Sequence, residues 1–306
     1  MILIEKLLKE LSKMKNKVVI QIFPMVNEID YLERTLLLLK QASVYVDKDK
    51  FHIILDVTLP ISDYLTDWDN SLLKQDYFKN KFKNLEKYAE WCDEYNFNID
   101  DKVKGCVDCC INNIYKYPEA DDMIWLDIDI IFNPYTLNLI LESSLEIKQK
   151  QPNYIITPEC VKLWDGSWDV LVNDNFLTEP YGYEKKNDPI VDTINPYGDI
   201  SLEPLGTYKW GGAWFTLYSK KLLDYIQFPK DIEGYSPIDT FIMECCKYIP
   251  NTTQYKIKNL VVAEDYKYID RTLYNNYLKS INRKQDLFQI GWNKMVSHLQ
   301  NNILKR

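Results

Sequence analysis

Two acidic residues stand inside a strongly apolar stretch, MIWLDIDIIFNP at residues 123–134. If the stretch forms one strand, Asp127 and Asp129 are two residues apart, so their side chains share a face of the sheet. Two buried carboxylates repel each other and lose hydration, and a divalent cation between them offsets both costs. Their hard oxygen atoms suit Mg²⁺, Mn²⁺ or Ca²⁺ better than Zn²⁺. A structural alternative is that one aspartate caps the turn at Asn133-Pro134.

The elements before this stretch alternate between strand and helix. Residues 17–24 and 51–59 are typical of buried strands, and Asn27 is the expected cap of the helix that follows the first strand. Residues 69–91 and 102–116 have helical patterns. Strands that alternate with helices predict an α/β fold, with a mostly parallel sheet and helices on both faces. Such sheets bind ligands at the carboxyl ends of their strands, so we expect the aspartates at that edge.

After residue 150 the strand candidates are separated by polar loops that contain proline. These candidates are NYIITPE, VKLWDGSWDVLV, YKWGGAWFTLYS and NLVVAEDYKY, and helices are expected from Ser219 and from near Pro237. Residues 271–306 are the expected helical tail. Because no change in composition marks a second autonomous domain, we expect one domain at residues 1–270. Its two halves are about 17–150 and 151–270.

The order of these motifs resembles that of the nucleotide-sugar-dependent glycosyltransferases of GT-A fold, and of the family 2-like members most closely. The stretches that carry the resemblance are FPMVNE at 23–28, ILD at 54–56, IWLDIDIIFNP at 124–134, KWGGAWF at 209–215 and GYSPIDTF at 234–241. The resemblance implies a metal-dependent hexosyltransferase that moves a sugar from a nucleotide diphosphate to an acceptor hydroxyl. The donor would be of UDP or GDP type, and the acceptor a glycan or another hydroxyl compound. The first half would bind the nucleotide and the second half the acceptor.

The resemblance also implies roles for residues of the first half. Asp56, at the expected end of a strand, would contact the nucleotide base or ribose. Asn27 and Glu28 would belong to the donor site. Asp127 and Asp129 would hold Mn²⁺ or Mg²⁺, which bridges the diphosphate and offsets the negative charge that builds on the leaving group.

A third protein ligand of the cation remains open in the sequence. Relatives often supply it late in the chain, frequently as histidine. The candidates are His298, Glu264 and Asp265, and the alternative is that phosphate oxygens and water complete the coordination shell.

Catalysis in the resembled family implies a general base in the second half. The position that matches is Asp239, which would remove the proton of the acceptor hydroxyl in an inverting reaction. The family usually has an adjacent acidic pair there, whereas PIDTF holds a single aspartate, and the structural alternative is a helix cap. Trp210 with Gly211 and Gly212 is the expected sugar contact, because indole faces pack on sugar C–H groups and glycine permits close approach. The alternative for tryptophan is core packing.

Two other function classes fit part of this pattern. A haloacid-dehalogenase-type phosphatase would use Asp127 as nucleophile and Asp129 as acid/base. That family normally has its DxD in the first strand, whereas here a long α/β segment comes before it. The other class is a carbohydrate- or nucleotide-binding protein without activity.

Composition narrows the partners and the location. A net charge of −8 disfavours sequence-independent binding of nucleic acid. Seven cysteines without a secretion signal favour free thiols, and the CxxC of Cys106 and Cys109 has the periodicity of a buried helix face. No stretch has the unbroken apolar length of a membrane span, and MILIEKLLKELSKMK favours a surface helix. We expect an intracellular protein, and its Lys-, Asn- and Ile-rich usage fits an AT-rich, viral genome.

Overall fold

A computed structural model of the protein describes residues 15–24, 29, 31–60, 75–100, 106–162, 199–206, 214–230, 238–264 and 287–303. Several predicted elements lie wholly or partly outside these residues. They are the surface helix at the start of the chain, most of VKLWDGSWDVLV, the first part of YKWGGAWFTLYS and residues 271–286 of the helical tail.

The strands of the described residues form one nine-stranded sheet. Their bounds are β1 Asn16–Ile22, β2 Phe51–Pro60, β3 Glu94–Asp100, β4 Asp122–Trp125, β5 Ile130–Phe132, β6 Asn153–Lys162, β7 Ser201–Pro204, β8 Thr216–Ser219 and β9 Thr252–Glu264. The order across the sheet is β3-β2-β1-β4-β8-β6-β9-β5, and β7 pairs with β9. Pairing is parallel from β3 to β4 and between β6 and β9, while β5, β7 and β8 run antiparallel to their neighbours. The predicted mostly parallel sheet is confirmed.

Helices cover both faces of this sheet, as predicted. Their bounds are α1 Leu32–Ala42, α2 Gln75–Leu85, α3 Cys106–Lys116, α4 Thr136–Lys148, α5 Lys220–Tyr225, α6 Ile238–Cys246 and α7 Leu287–His298. Buried side chains of α1, α2 and α4 share one apolar cluster, and those of α3, α5, α6 and α7 share the other. None of the helices in the described ranges combines the length and the apolar character that crossing a bilayer requires.

Helix α1 begins later than the sequence predicts. Its first residue is Leu32 and Tyr31 occupies the N-cap position, so Asn27 is not the cap of this helix. The predicted apolar face is confirmed, because Leu32, Leu36 and Leu39 are buried. The helix therefore depends on packing against the sheet, since no side chain caps its start.

The carboxyl edge of the sheet has a step between β2 and β1. β2 continues past Asp56 to Pro60, which confirms the predicted strand at 51–59. Its last residues pair with β3, a strand that the sequence does not predict. β1 ends at Ile22, opposite Val57. β2 and β3 therefore extend about 10 Å beyond β1, at roughly 3.3 Å per residue. We call this overhang the edge step.

The apolar stretch at residues 123–134 is not one strand. β4 ends at Trp125, and β5 begins at Ile130. β4 lies between β1 and β8, whereas β5 pairs with β9 at the end of the strand order. The chain must therefore leave the sheet after β4 and cross β8, β6 and β9 before it forms β5. Asp127 and Asp129 lie in this connection, and strand alternation therefore does not govern their orientation. We call residues 126–129 the aspartate turn.

The described cysteines are buried free thiols. The predicted burial on a helix face is confirmed for Cys109 and Cys110 of α3. In α6, burial raises the pKa of Cys245 to about 12. A thiol that stays protonated at neutral pH packs as a small apolar group.

The amino edge of the sheet contains a buried carboxylate of its own. Asp122 accepts hydrogen bonds from Asn16 Nδ2 at 2.7 Å and from the Tyr154 hydroxyl at 2.6 Å. Lys148 Nζ donates to Asn16 Oδ1 at 2.6 Å and pairs with Asp121. Burial nevertheless raises the pKa of Asp122, because these donors and the lysine charge offset only part of the lost hydration.

We predict that Asp122→Asn changes how stability depends on pH. A raised pKa in the folded state means that the stabilising contribution of Asp122 is fully present below its ordinary pKa of 3.8 and is lost as the pH rises through the higher folded-state pKa. The variant cannot ionise at this position. Its unfolding free energy, minus that of the wild type, should therefore increase from about pH 4 toward neutrality in urea denaturation. A difference that is independent of pH would contradict the raised pKa.

Candidate functional site

Four of the predicted site residues fall within the described part of the chain. They are Asp56, Asp127, Asp129 and Asp239. The other five lie outside the described residues: Asn27, Glu28, Trp210, Gly211 and Gly212.

The aspartate turn lies where β4 ends, at the carboxyl edge of the parallel strands. Asp127 is half-buried and Asp129 is 5% exposed. A backbone hydrogen bond of 3.4 Å from Ile130 N to Asp127 O closes the turn. Asp129 is thus largely removed from water and Asp127 partly so, and the burial of a carboxylate requires hydrogen-bond donors or a positive charge.

Two hydrogen bonds to other elements hold the aspartate turn in place. At its start, Leu126 N donates to Gln21 O of β1 at 3.1 Å. In its middle, the Thr35 hydroxyl of α1 donates to Ile128 O at 2.8 Å. The end of the turn continues into β5, which is held by pairing with β9.

The Asn133-Pro134 turn, where the structural alternative puts an aspartate cap, is closed by contacts of Asn133. Tyr135 N donates to Asn133 Oδ1 at 2.9 Å. Asn133 O also accepts from Thr136 N at 2.9 Å, where α4 begins. The side chain and the carbonyl of Asn133 therefore both support the start of this helix.

The donor set of the aspartate turn fits a hard divalent cation. Within the described ranges no group of three His, Cys, Asp or Glu side chains is arranged to hold a metal ion. Mg²⁺ commonly takes only one or two protein carboxylates and completes its shell with water and substrate phosphate. Asp127 and Asp129 supply two carboxylates, which suits a cation that arrives with a phosphorylated ligand.

The candidates for a third ligand lie in different places. Glu264 is opposite Ile130 in the backbone register of β9 and β5, one residue after the aspartate turn. Asp265 lies outside the described residues. His298 Nε2 is 2.7 Å from Gln227 O, and His52 Nε2 is 2.8 Å from a Glu94 carboxylate oxygen near the amino end of β2.

Asp56 is the centre of a buried hydrogen-bond network. It lies inside β2 with no exposed surface. Its Oδ1 accepts from Thr58 at 2.7 Å and from Asn113 at 3.0 Å. Its Oδ2 accepts from Lys116 at 2.6 Å, from Tyr117 at 2.5 Å and from Asn96 at 3.3 Å. The sequence indicates Asp56 as a candidate site residue but indicates none of these hydrogen-bond partners.

This network keeps the carboxylate of Asp56 ionised. Burial by itself would raise the pKa of Asp56, but hydrogen bonds from Lys116, Tyr117 and Thr58 and the lysine charge lower it below the ordinary value. The carboxylate also raises the pKa of Tyr117, after the larger effect of burial. Because both oxygens of Asp56 already accept hydrogen bonds, a ligand that binds them must displace one donor. The side chain of Lys116 is 42% exposed and is the partner that borders solvent.

Tyr218 of β8 links the aspartate turn to Asp239. Burial is the largest cause that raises the pKa of Tyr218, and the carboxylates of Asp239 and Asp127 add to it, as do Cys246 and Cys110. Asp239 is 8% exposed and lies in the first turn of α6, a helix packed on the same face of the sheet as Tyr218. The structure thus brings two predicted site residues toward one buried hydroxyl, although 112 positions separate them in the chain.

Three buried polar atoms on this face have no hydrogen-bond partner within the described structure. They are Gln21 Oε1, Trp125 Nε1 and the Tyr218 hydroxyl, on β1, β4 and β8. Trp125 of β4 pairs with Gln21 of β1 in the strand register. The ring centroids of Trp125 and Tyr218 are 4.8 Å apart. Uncompensated polar atoms destabilise a protein interior and are frequent at functional sites.

Substitution of Tyr154 and Tyr218 by phenylalanine should have different effects on stability, because only the Tyr154 hydroxyl has a described hydrogen-bond partner. Tyr154→Phe removes a donor from Asp122 and should lower the unfolding free energy by roughly 1–3 kcal/mol. Tyr218→Phe removes a hydroxyl without a described partner and should leave stability unchanged or raise it by about 1 kcal/mol. Urea denaturation at neutral pH measures both. A loss in Tyr218→Phe as large as that in Tyr154→Phe would show that water or another group satisfies this hydroxyl.

Comparison with known proteins yields similarity at the level of solved structures. No protein-family model and no curated protein matches the sequence. Among the similar structures are S. aureus TarS 1-349, with 15% identity and a TM-score of 0.45, and the same protein in complex with UDP, with 13% identity and a TM-score of 0.42. Both cover 94% of this chain and 72% of the TarS chain. A further TarS structure covers 94% of this chain and 44% of its own, with 13% identity and a TM-score of 0.41. Likeness at these TM-scores does not by itself assign an activity.

Proposed function

We propose that the protein is a metal-dependent glycosyltransferase, which moves a sugar from a nucleotide diphosphate to an acceptor hydroxyl with inversion. The proposal is supported by the aspartate turn at the carboxyl edge of the sheet. It is also supported by Asp239 in the first turn of α6, which packs on the sheet face that contains Trp125 of β4 and Tyr218 of β8. The ordered motifs that resemble GT-A enzymes of the family 2-like group support it further.

Asp127 and Asp129 would hold Mn²⁺ or Mg²⁺ together with the diphosphate of the donor. The bound cation offsets the negative charge of the diphosphate leaving group as the sugar–oxygen bond breaks. The contribution of the chain is to hold two carboxylates in a short turn and to shield Asp129 from most water.

Asp239 would act as the general base. The acceptor oxygen attacks the anomeric carbon, its proton passes to the Asp239 carboxylate, and the bond from the sugar to the diphosphate breaks. A carboxylate in the first turn of a helix is stabilised in its ionised form by the helix dipole, which suits a group that must accept a proton.

Asp56 would contribute to nucleotide binding through its network. A base or ribose group that approaches the exposed side chain of Lys116 meets its ion pair with Asp56. Binding there exchanges a donor of the network for a donor of the nucleotide.

Loss of either carboxylate of the aspartate turn should abolish the metal-dependent part of nucleotide binding. We expect UDP or GDP with Mn²⁺ to raise the Tm of the wild type, by the equivalent of about 2.7 kcal/mol at a ligand concentration one hundred times its Kd. In Asp127→Asn and Asp129→Asn the increment that requires Mn²⁺ should disappear. Thermal denaturation with each nucleotide, with and without Mn²⁺, measures this.

Asp122→Asn is the matched control, because Asp122 is buried on β4 at the opposite edge. It should change the Tm of the free protein and keep the Mn²⁺ increment. Unaltered metal dependence in both variants of the aspartate turn would contradict the assigned site. Release of phosphate from a generic phosphomonoester, without nucleotide binding, would favour the phosphatase alternative. Metal-dependent nucleotide binding without transfer to any hydroxyl acceptor would favour a binding protein.

Substitution of the general base should affect turnover far more than donor binding. Asp239→Asn should lower kcat by about 10²–10⁴-fold and leave the KM of the donor nearly unchanged, because the variant keeps its shape and loses its proton acceptor. Steady-state kinetics with an active donor and acceptor measures both parameters. Glu244→Gln, on the exposed side of α6, is the control and should keep normal turnover. Near-normal kcat in Asp239→Asn would remove it from this role.

A further inference from the structure

A buried threonine stands at the middle of the aspartate turn. Thr35 of α1 has no exposed surface, and its hydroxyl donates to Ile128 O at 2.8 Å. Ile128 is the residue between Asp127 and Asp129. We propose that Thr35 is a positioning residue for the cation site, because it fixes the peptide unit that joins the two carboxylates. This inference rests on the proposed metal-dependent function.

The hydrogen bond of Thr35 is directed away from its own helix. A threonine within a helix commonly bonds the carbonyl four residues earlier, which here is Tyr31 O. Tyr31 O accepts the ordinary helix bond from Thr35 N at 3.3 Å, whereas the Thr35 hydroxyl donates to Ile128 O of the aspartate turn. Thr35 also occupies the same buried stripe as Leu32, Leu36 and Leu39. A polar side chain in a leucine stripe is the sequence signal that could have revealed it.

The middle of the aspartate turn depends on this contact. Leu126 N and Gln21 O hold the start of the turn, and the pairing of β5 with β9 holds its end. The bond within the turn, from Ile130 N to Asp127 O, is long at 3.4 Å. The Thr35 hydroxyl is the described side-chain donor to the peptide between the two aspartates.

Fixing this peptide has a direct consequence for the two ligands. The Ile128 carbonyl carbon is bonded to Asp129 N, so rotation of this peptide plane moves Asp129 relative to Asp127. A cation held by two carboxylates tolerates displacements of only about 0.5 Å. Groups that orient metal ligands without touching the metal typically contribute 10- to 100-fold to metal affinity.

The test compares buried threonines with and without this contact. Thr35→Val keeps the shape of the side chain and removes the hydrogen-bond donor, so it should weaken Mn²⁺ binding about 10- to 100-fold. Electron paramagnetic resonance titrations of the full chain with Mn²⁺, in the presence of UDP or GDP, measure this affinity. Thr35→Ser keeps the hydroxyl and should bind Mn²⁺ nearly as well as the wild type. Thr136→Val is the control, because Thr136 is equally buried in α4 and its hydroxyl has no partner within the described residues.

Each outcome decides the inference. Equal Mn²⁺ affinity in Thr35→Val and the wild type overturns the role of Thr35 and leaves the proposed function standing. A loss in Thr35→Ser as large as that in Thr35→Val also overturns it, because packing of the methyl group would then be the cause. Absence of Mn²⁺ binding in the wild type overturns the role of Thr35 together with the metal dependence. If Thr35→Val does not fold, Thr35→Ala removes the same donor without adding volume to the core, and the same results apply.

Discussion

The cost of removing a carboxylate from water is the constraint on which this sheet depends. Where strands are apolar on both faces, an acidic side chain must be met by donors or by a positive charge, or must lie where a strand ends. Asp122 at the amino edge and Asp56 inside β2 are met by donors from neighbouring strands and helices. Asp127 and Asp129 lie where β4 breaks. Asp122 and Asp56 thus belong to hydrogen-bond networks within the sheet, whereas Asp127 and Asp129 lie in a turn at its carboxyl edge.

Much of the fold could be predicted because the sequence patterns that indicate its strands and helices are local. The apolar runs of β1 and β2 and the leucine stripe of α1 carry their periodicity within a few residues. β3 was missed because its sequence, EYNFNID, is polar and its residues are exposed or half-buried at the edge of the sheet. The break between β4 and β5 was missed because the residues on both sides are apolar. Only the pairing of β5 with β9, more than 120 positions later, requires it.

The site was predictable in its residue types and not in its contacts. The apolar stretch around Asp127 and Asp129 indicated them as candidate site residues, but it predicted a strand and not a turn at their position. Four of the five donors to Asp56 come from positions 40 to 61 residues away, on β3, in α3 and just after α3, and no local pattern indicates them. They turn an expected ligand-binding carboxylate into one that is already satisfied within the protein. Tyr218 could not be linked to Asp127 and Asp239 either, since the link depends on how β8 and α6 pack.

The strand order has a consequence for the sequence of events during folding. β8 lies between β4 and β6, and the far end of the aspartate turn is held by β9, so the turn is complete only after residues 252–264 have joined the sheet. Contacts of such large sequence separation form slowly, because the entropy of closing a long loop must first be lost. The first 150 residues alone therefore lack the strand that holds the far end of the aspartate turn. During synthesis on the ribosome, the turn can be completed only after residues 252–264 have emerged.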